Sequence, residues 1–152
     1  MLQRPQTLFL LGAFILSLLL LVGSLAEFSM QGSDYVLKSS GLFGGEGERM
    51  QLVTWPLLLF FIVLGSLSFL NIFFYRHRVR QMRICVFLIL LNLGAVAMMF
   101  FYVYMARLQL EGALVLYKWR FVAPPISVIL NYFAFRRIRR DELMVKAYDR
   151  IR

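Results

Sequence analysis

The chain has 152 residues, of which 61% are hydrophobic and only 16% are charged. This composition excludes an ordinary soluble domain, in which about a quarter of the residues are charged, and it predicts one small membrane domain. The net charge of +9 would suit nucleic acid, but no nucleic-acid-binding module fits the short loops, so we expect no nucleic-acid partner and expect anionic lipid head groups instead.

Four apolar stretches predict an all-α membrane protein with four transmembrane helices. A helix needs roughly 20 apolar residues to cross a bilayer, at about 1.5 Å per residue. A single domain over residues 1–152 is expected, with spans at about 8–26, 55–75, 84–106 and 122–137, an outer loop at 27–50 and a C-terminal segment at 141–152.

The basic residues are divided unequally among the segments that join these stretches. The N-terminus, the loop at 76–83 and the C-terminal segment hold most of the 17 Lys and Arg residues but a minority of the 8 acids. By the positive-inside rule, both termini and this loop face the cytoplasm. Contact with anionic lipid is expected for the arginines of this face, which are Arg76, Arg78, Arg80, Arg83, Arg136, Arg137, Arg139 and Arg140.

The first stretch also has features of a signal peptide. Arg4 precedes an apolar run that ends in Ser24, Leu25 and Ala26, a small-x-small cleavage pattern. The run is long for a signal core, and cleavage would leave three spans. We expect a retained helix, because it keeps an even number of spans with both basic ends inside.

The outer loop at 27–50 is rich in Gly and Ser, which favour turns. At most an ordered turn or a short hairpin is expected there. In that hairpin Tyr35–Leu37 form a strand, and Leu42 and Phe43 form its return. A flexible connector is the alternative.

The fourth stretch is short and contains Pro124 and Pro125. A proline inside a helix removes a hydrogen bond and clashes with the preceding turn, so the last helix is expected to begin near Ala123 or Pro124. The preceding segment, 112–122, is expected at the outer membrane interface. A kinked helix that runs from Leu114 is the alternative.

After Arg140 the sequence becomes amphipathic, because Leu143, Ala147 and Ile151 fall on one helix face. A short amphipathic C-terminal helix on the inner leaflet is expected. A solvated continuation of the fourth helix is the alternative.

Few residues within the stretches could carry chemistry. None of the predicted helices has an Asp, Glu, Lys, Arg or His residue near its middle, and such residues usually mark proton relays and ion paths. Asn71, Asn92 and Asn131 are interpreted as interhelical polar contacts, in preference to a small polar site open to the cytoplasm. Cys85 and His77 are the only residues of their kinds, so we expect no disulfide, metal site or other cofactor.

The most specific motifs lie near the two ends of the chain. They are MLQRPQTL at 1–8, GSLAEF at 23–28, RIRRDELMV at 137–145 and DRIR at 149–152. With these motifs the chain resembles a family of short four-helix inner-membrane proteins from Bacteroidota, which is a domain of unknown function, although Pro5 replaces an expected aliphatic residue. The resemblance implies a bacterial inner membrane and a retained first helix, and it implies no activity.

Three classes of function remain. We expect a structural or accessory subunit, not an enzyme, that packs beside a larger membrane partner and contacts anionic lipid. The alternative is a small homo-oligomeric transporter or channel, similar in outline to small multidrug transporters, but the embedded carboxylate of those proteins has no counterpart between Leu8 and Leu25. An enzyme would have to use Glu27, Asp34, Glu46 or Glu48 as its acid or base.

Overall fold

The computed structural model describes residues 5–30, 33–44, 52, 54–110 and 112–149. Within these residues the chain forms four α-helices and four strands. In chain order they are α1 (Pro5–Val22), β1 (Ser24–Met30), β2 (Ser33–Lys38), β3 (Gly41–Phe43), α2 (Trp55–Phe73), α3 (Arg78–Gln109), β4 (Leu114–Tyr117) and α4 (Ala123–Asp149). Two short 3-10 helices, Phe74–Arg76 and Trp119–Val122, precede α3 and α4.

The helices pack in a ring, in which α1 and α3 each contact both α2 and α4. Successive helices run in opposite directions, so the start of α1, the turn between α2 and α3, and the second half of α4 lie at one end of the bundle. We call this the basic end, because it includes Arg78–Arg83 and Arg136–Arg140. The strands follow α1 and α3 at the opposite end, which we call the sheet end.

The strands form one antiparallel sheet in the order β3-β2-β1-β4. The inner strand β1 pairs with β2 from the same half of the chain and with β4 from the other half, where Ala26 lies opposite Tyr117. Phe28 and Leu37 on the inner face are fully buried in the larger core, which also contains Phe61 and Met99. The sheet therefore closes one end of the bundle with a shared apolar core.

Among the residues that the structure describes, two helices, α2 and α3, are long and apolar enough to cross a membrane, judged by length and composition. Of the apolar windows in these two helices, 33% and 28% respectively are buried, so most of the residues in these windows are half-buried or exposed. In α1 the apolar part, Thr7–Val22, is shorter, and α4 is interrupted by the arginines after Phe135. The expectation of four transmembrane helices is therefore supported for two of them.

The all-α expectation is wrong, because both connections at the sheet end contain strands. Helix α1 ends at Val22, and residues expected to complete the first span belong to β1. In β1 buried Ala26 and Phe28 alternate with half-buried Glu27 and Ser29, which is the two-residue period of a strand. Hydrogen bonding to neighbours on both sides makes this extended form favourable.

The short hairpin expected in the outer loop is confirmed. Val36 pairs with Phe43, and Leu37 pairs with Leu42. Residues 45–51 and 53 of the same connection lie outside the described residues.

The start of the last helix at Ala123 is also confirmed. Residues Leu114–Tyr117 form β4, because β1 offers them a hydrogen-bonding edge, so the alternative of a kinked helix from Leu114 is wrong. Helix α3 begins at Arg78, so most of the loop expected at 76–83 is helical, as arginine is a good helix former.

The separate amphipathic C-terminal helix is not observed. Helix α4 continues without a break to Asp149, because residues 126–149 contain neither glycine nor proline. The rest of the expected segment, 150–152, lies outside the described residues.

Candidate functional site

The arginines predicted to contact lipid lie together at the basic end of the bundle. The first two turns of α3 carry Arg78, Arg80 and Arg83, and four more arginines lie on two successive turns of α4. Arg78 is half-buried and the others are exposed. Arg76 belongs to the 3-10 helix before α3, and its side chain lies outside the described residues.

A groove between α1 and α4 holds three of these arginines. Its lining consists of Phe9 from α1 and of Phe133, Arg136, Arg137 and Arg140 from α4, and its volume is about 570 Å³. The two phenylalanine rings contact each other, with their centroids 5.8 Å apart. The groove, which we call the α1–α4 groove, thus combines an apolar wall with a strongly basic rim.

A second groove, which we call the α3–α4 groove, lies on the other side of α4. It has a volume of about 350 Å³ and is lined by Val79, Met82, Arg83, Val86, Phe135, Arg139, Glu142 and Leu143. It differs from the α1–α4 groove in having a carboxylate beside its two arginines. Helix α4 therefore presents basic side chains to both of its neighbours.

Arg78 has a structural contact at this end. Its Nη1 donates a hydrogen bond to the backbone oxygen of Asp141 at 3.2 Å. This bond joins the beginning of α3 to the second half of α4. His77, which precedes α3, is exposed and lines a cavity of about 370 Å³ with Arg78 and Arg80.

The buried amides lie deeper in the bundle. Asn71 Nδ2 donates to Cys85 Sγ at 3.3 Å, which joins α2 to α3. Asn92 and Asn131 instead donate to the backbone oxygens of Leu88 and Ser127 on their own helices, at 2.7 and 2.8 Å. Of the three predicted interhelical contacts, only that of Asn71 crosses between helices among the described residues.

Gln81 is a buried polar residue that the sequence reasoning missed. Its Nε2 donates to the backbone oxygen of Asn71 at 3.2 Å, near the end of α2 where backbone oxygens lack partners within the helix. The arginines around it suggested a solvated loop. The signal was its spacing, because Gln81, Cys85, Leu88 and Asn92 recur every three or four residues and form the buried stripe of α3.

Several buried oxygen atoms have no hydrogen-bond partner among the described residues. They are Oδ1 of Asn71, Asn92 and Asn131, Oε1 of Gln81 and the hydroxyls of Thr54 and Ser127. The hydroxyls of Thr54 and Ser127 can donate as well as accept, whereas the four amide oxygens can only accept hydrogen bonds. They suit a ligand that donates hydrogen bonds, such as water, or a cation.

Two of these amides lie at nearly the same depth. Val86 and Phe135 line the same groove on antiparallel helices. Asn92 lies six residues beyond Val86, and Asn131 lies four residues before Phe135. The depths of the two amides therefore agree to within about 3 Å at 1.5 Å per residue.

The acidic residues considered for catalysis lie at the sheet end. Glu27 Oε2 forms an ion pair with Lys118 Nζ at 2.7 Å, which joins β1 to the residue after β4. Asp34 is exposed on β2, and Glu46 and Glu48 lie outside the described residues. Within the described part of the chain, no group of three or more His, Cys, Asp and Glu residues could hold a metal ion.

The fold and the site define a small, mostly helical protein with two helices of membrane-spanning length, a sheet at one end and an arginine-rich surface at the other. The chain belongs to the family described as Domain of unknown function (DUF4293), whose sequence model matches residues 2–151. This confirms the resemblance to a domain of unknown function over nearly the whole chain. No curated protein and no solved structure matches the chain.

Proposed function

We propose that this protein is a non-enzymatic, four-span protein of a bacterial inner membrane, in which both termini are cytoplasmic and the basic end holds anionic lipid. In this role it is an accessory subunit that packs beside a larger membrane partner. The observation that carries the proposal is the gathering of Arg78–Arg83 and Arg136–Arg140 at one end of a bundle whose sides are apolar.

The exterior of the bundle supports a membrane setting. Large apolar side chains are exposed on all four helices, among them Leu8, Ile15, Ile62, Phe69, Leu90, Phe101, Ile129 and Phe133. An apolar surface of this extent is stable in hydrocarbon or against another apolar protein surface. Helix α1 has 18 residues and is about 27 Å long, close to the hydrocarbon thickness.

Helix α4 fits the membrane setting through its arginines. Its apolar part ends at Phe135, and Arg136 and Arg137 follow. Long arginine side chains can extend toward the head groups while their methylene groups stay in the apolar region. The same placement brings the guanidinium groups to the level of lipid phosphates, where Arg forms paired hydrogen bonds.

Cysteine labelling tests the topology. A Cys85→Ser background accepts single cysteines at Ser40, in the exposed turn before β3, and at His77, which is exposed before α3. A membrane-impermeant maleimide added to intact cells should label the Ser40→Cys variant, and it should label the His77→Cys variant only after the membrane is permeabilised. Labelling of both cysteines from outside would overturn the proposed topology.

Purification from the native membrane tests the accessory role. The tagged full-length chain is extracted in mild detergent, and its complex is measured by native sizing and mass spectrometry. A larger membrane protein in fixed stoichiometry, retained through a high-salt wash, supports the proposal. A monomer or a homodimer alone contradicts the accessory role.

A small homo-oligomeric transporter or channel is a second candidate. The buried oxygens of Asn71, Gln81, Asn92 and Asn131 favour it, because they form acceptors without donors inside the bundle. For this function, proteoliposomes should pass a monovalent cation faster than protein-free vesicles, and the double variant Asn92→Leu/Asn131→Leu should remove the difference. Equal fluxes with and without protein would reject it.

A further inference from the structure

We propose that the α1–α4 groove binds a lipid head group with two phosphates, as in diphosphatidylglycerol, and that the α3–α4 groove lacks this preference. The inference rests on the proposed contact with anionic lipid. It goes further, because it assigns that contact to one groove and to one class of head group.

The three arginines of the α1–α4 groove converge on one side of α4. At 100° per residue, Arg136 and Arg137 are 100° apart around the helix, and Arg140 lies between them one turn further on. All three are exposed, and no ion pair is found for them among the described residues. Three free guanidinium groups can bind two phosphates through paired hydrogen bonds and leave the site slightly basic.

The apolar wall of the α1–α4 groove favours a lipid over a soluble phosphate. Phe9 and Phe133 contact each other beneath the arginine rim. A soluble diphosphate has no apolar part that can pack against these rings, whereas a lipid can place its glycerol and upper acyl chains there. The volume of about 570 Å³ is within the usual range of small-molecule sites, roughly 300–1,000 Å³.

The α3–α4 groove provides an internal comparison. It is smaller, at about 350 Å³, and Glu142 lines it beside Arg83 and Arg139. A carboxylate repels a second phosphate, and this repulsion is appreciable at short range near a protein surface. The lining of the α3–α4 groove thus carries one net positive charge, against three for the lining of the α1–α4 groove.

Native mass spectrometry of the full-length protein tests the assignment. The protein is titrated with diphosphatidylglycerol and with phosphatidylglycerol at equal phosphate concentration. The variant R136Q/R137Q/R140Q is compared with the matched control R80Q/R83Q/R139Q, which loses the same number of charges. We expect the wild type to prefer diphosphatidylglycerol by about tenfold or more, the first variant to lose this preference, and the control to keep it.

Other outcomes separate the inference from the proposed function. Salt-sensitive binding of both lipids with no preference, or an equal loss in both triple variants, would overturn the two-phosphate site while leaving the lipid contact intact. Absence of any anionic-lipid binding in the wild type would overturn both.

Two further arms complete the test. Pyrophosphate is added as a soluble competitor, and displacement of diphosphatidylglycerol at comparable concentration would overturn the assignment to a lipid. The variant R136K/R137K/R140K retains the three positive charges of the groove but loses the planar guanidinium groups that form paired hydrogen bonds. It should bind phosphatidylglycerol normally and show a reduced preference for diphosphatidylglycerol, and an unchanged preference would count against the site.

Discussion

The side chain of Arg120 lies directly over Gly23, in the space that a β-carbon on residue 23 would occupy. Gly23 is buried where α1 passes into β1, and Arg120 belongs to the 3-10 helix before α4. The guanidinium also lies over the Trp119 ring, 5.1 Å from its centroid. Gly23, in the first half of the chain, has no side chain and so leaves room for the large side chain of Arg120 in the second half.

Replacement of Gly23 by Ala should destabilise the protein by about 0.5–1 kcal/mol, because the added methyl group displaces the flexible end of the Arg120 side chain from its place over the Trp119 ring. Thermal unfolding in detergent measures the change. The double variant Gly23→Ala/Arg120→Ala should recover part of the loss relative to Arg120→Ala alone, since the overlap is then removed.

Gly65→Ala is the matched control for that substitution. Gly65 lies inside α2, and its nearest neighbour to an added β-carbon is Ser17 Cβ at 4.0 Å, an ordinary contact. Alanine is favoured over glycine in a helix by roughly 0.5–1 kcal/mol, so this variant should be as stable as the wild type or more so. Equal destabilisation of both variants would contradict a specific role for Arg120.

The ion pair between Glu27 and Lys118 should contribute modestly to the sheet end. About one third of each side chain is exposed, and exposed pairs are worth roughly 0.2–1 kcal/mol. Glu27→Gln and Lys118→Gln should each lower stability within that range, and less at high salt. In a double-mutant cycle a coupling energy of zero at low salt would show that the pair contributes nothing.

Gln81 should matter more for stability than Asn92, although both are buried amides. Gln81→Leu leaves the backbone oxygen of Asn71 without its donor, which should cost about 1 kcal/mol or more. Gln81→Leu and Asn92→Leu each remove a buried oxygen that lacks a partner, but the Leu88 oxygen that Asn92 contacts lies inside α3 and keeps its backbone donor. Asn92→Leu should therefore be neutral or stabilising. Unfolding of the two variants in the same detergent measures the difference, and a reversed order would refute this prediction.

Cys85 should be inaccessible to thiol reagents in the folded protein. It is fully buried against Asn71 and lies in a small core with Leu10, Ala134 and Ile138. A maleimide should label it slowly in mild detergent and completely in a denaturing detergent. A His77→Cys variant in the Cys85→Ser background is the control, because residue 77 is exposed before α3 and should label rapidly; rapid labelling of native Cys85 would contradict the packing.

Local signals in the sequence predicted only some of the elements. The hairpin of β2 and β3 was predictable because its strands are separated by a turn of two residues, Ser39 and Ser40, and pair with each other. The start of α4 was predictable because a helix tolerates proline only in its first turn, and Pro124 and Pro125 therefore mark that turn. The gathering of arginines at one end followed from the alternation of helix directions.

The strands β1 and β4 were not predictable in the same way. The apolar residues of β1 continue the apolar run of α1, and those of β4 precede aromatic residues that are typical of a membrane interface. Each strand is favourable through its pairing with the other, and this pairing is not local in sequence. The buried position of Gln81 was hidden for a related reason, since its partner lies on a different helix.

The pairing of Ala26 with Tyr117 also means that β1 is synthesised before its partner strand β4. The ribosome makes β1 about 90 residues before β4, and at the usual rate of roughly 5–20 residues per second several seconds separate them. During that interval the edge of β1 that later pairs with β4 has no partner, and another strand can form hydrogen bonds with it. A chaperone or a partner subunit that arrives early would find this edge exposed, and completion of the chain would remove it.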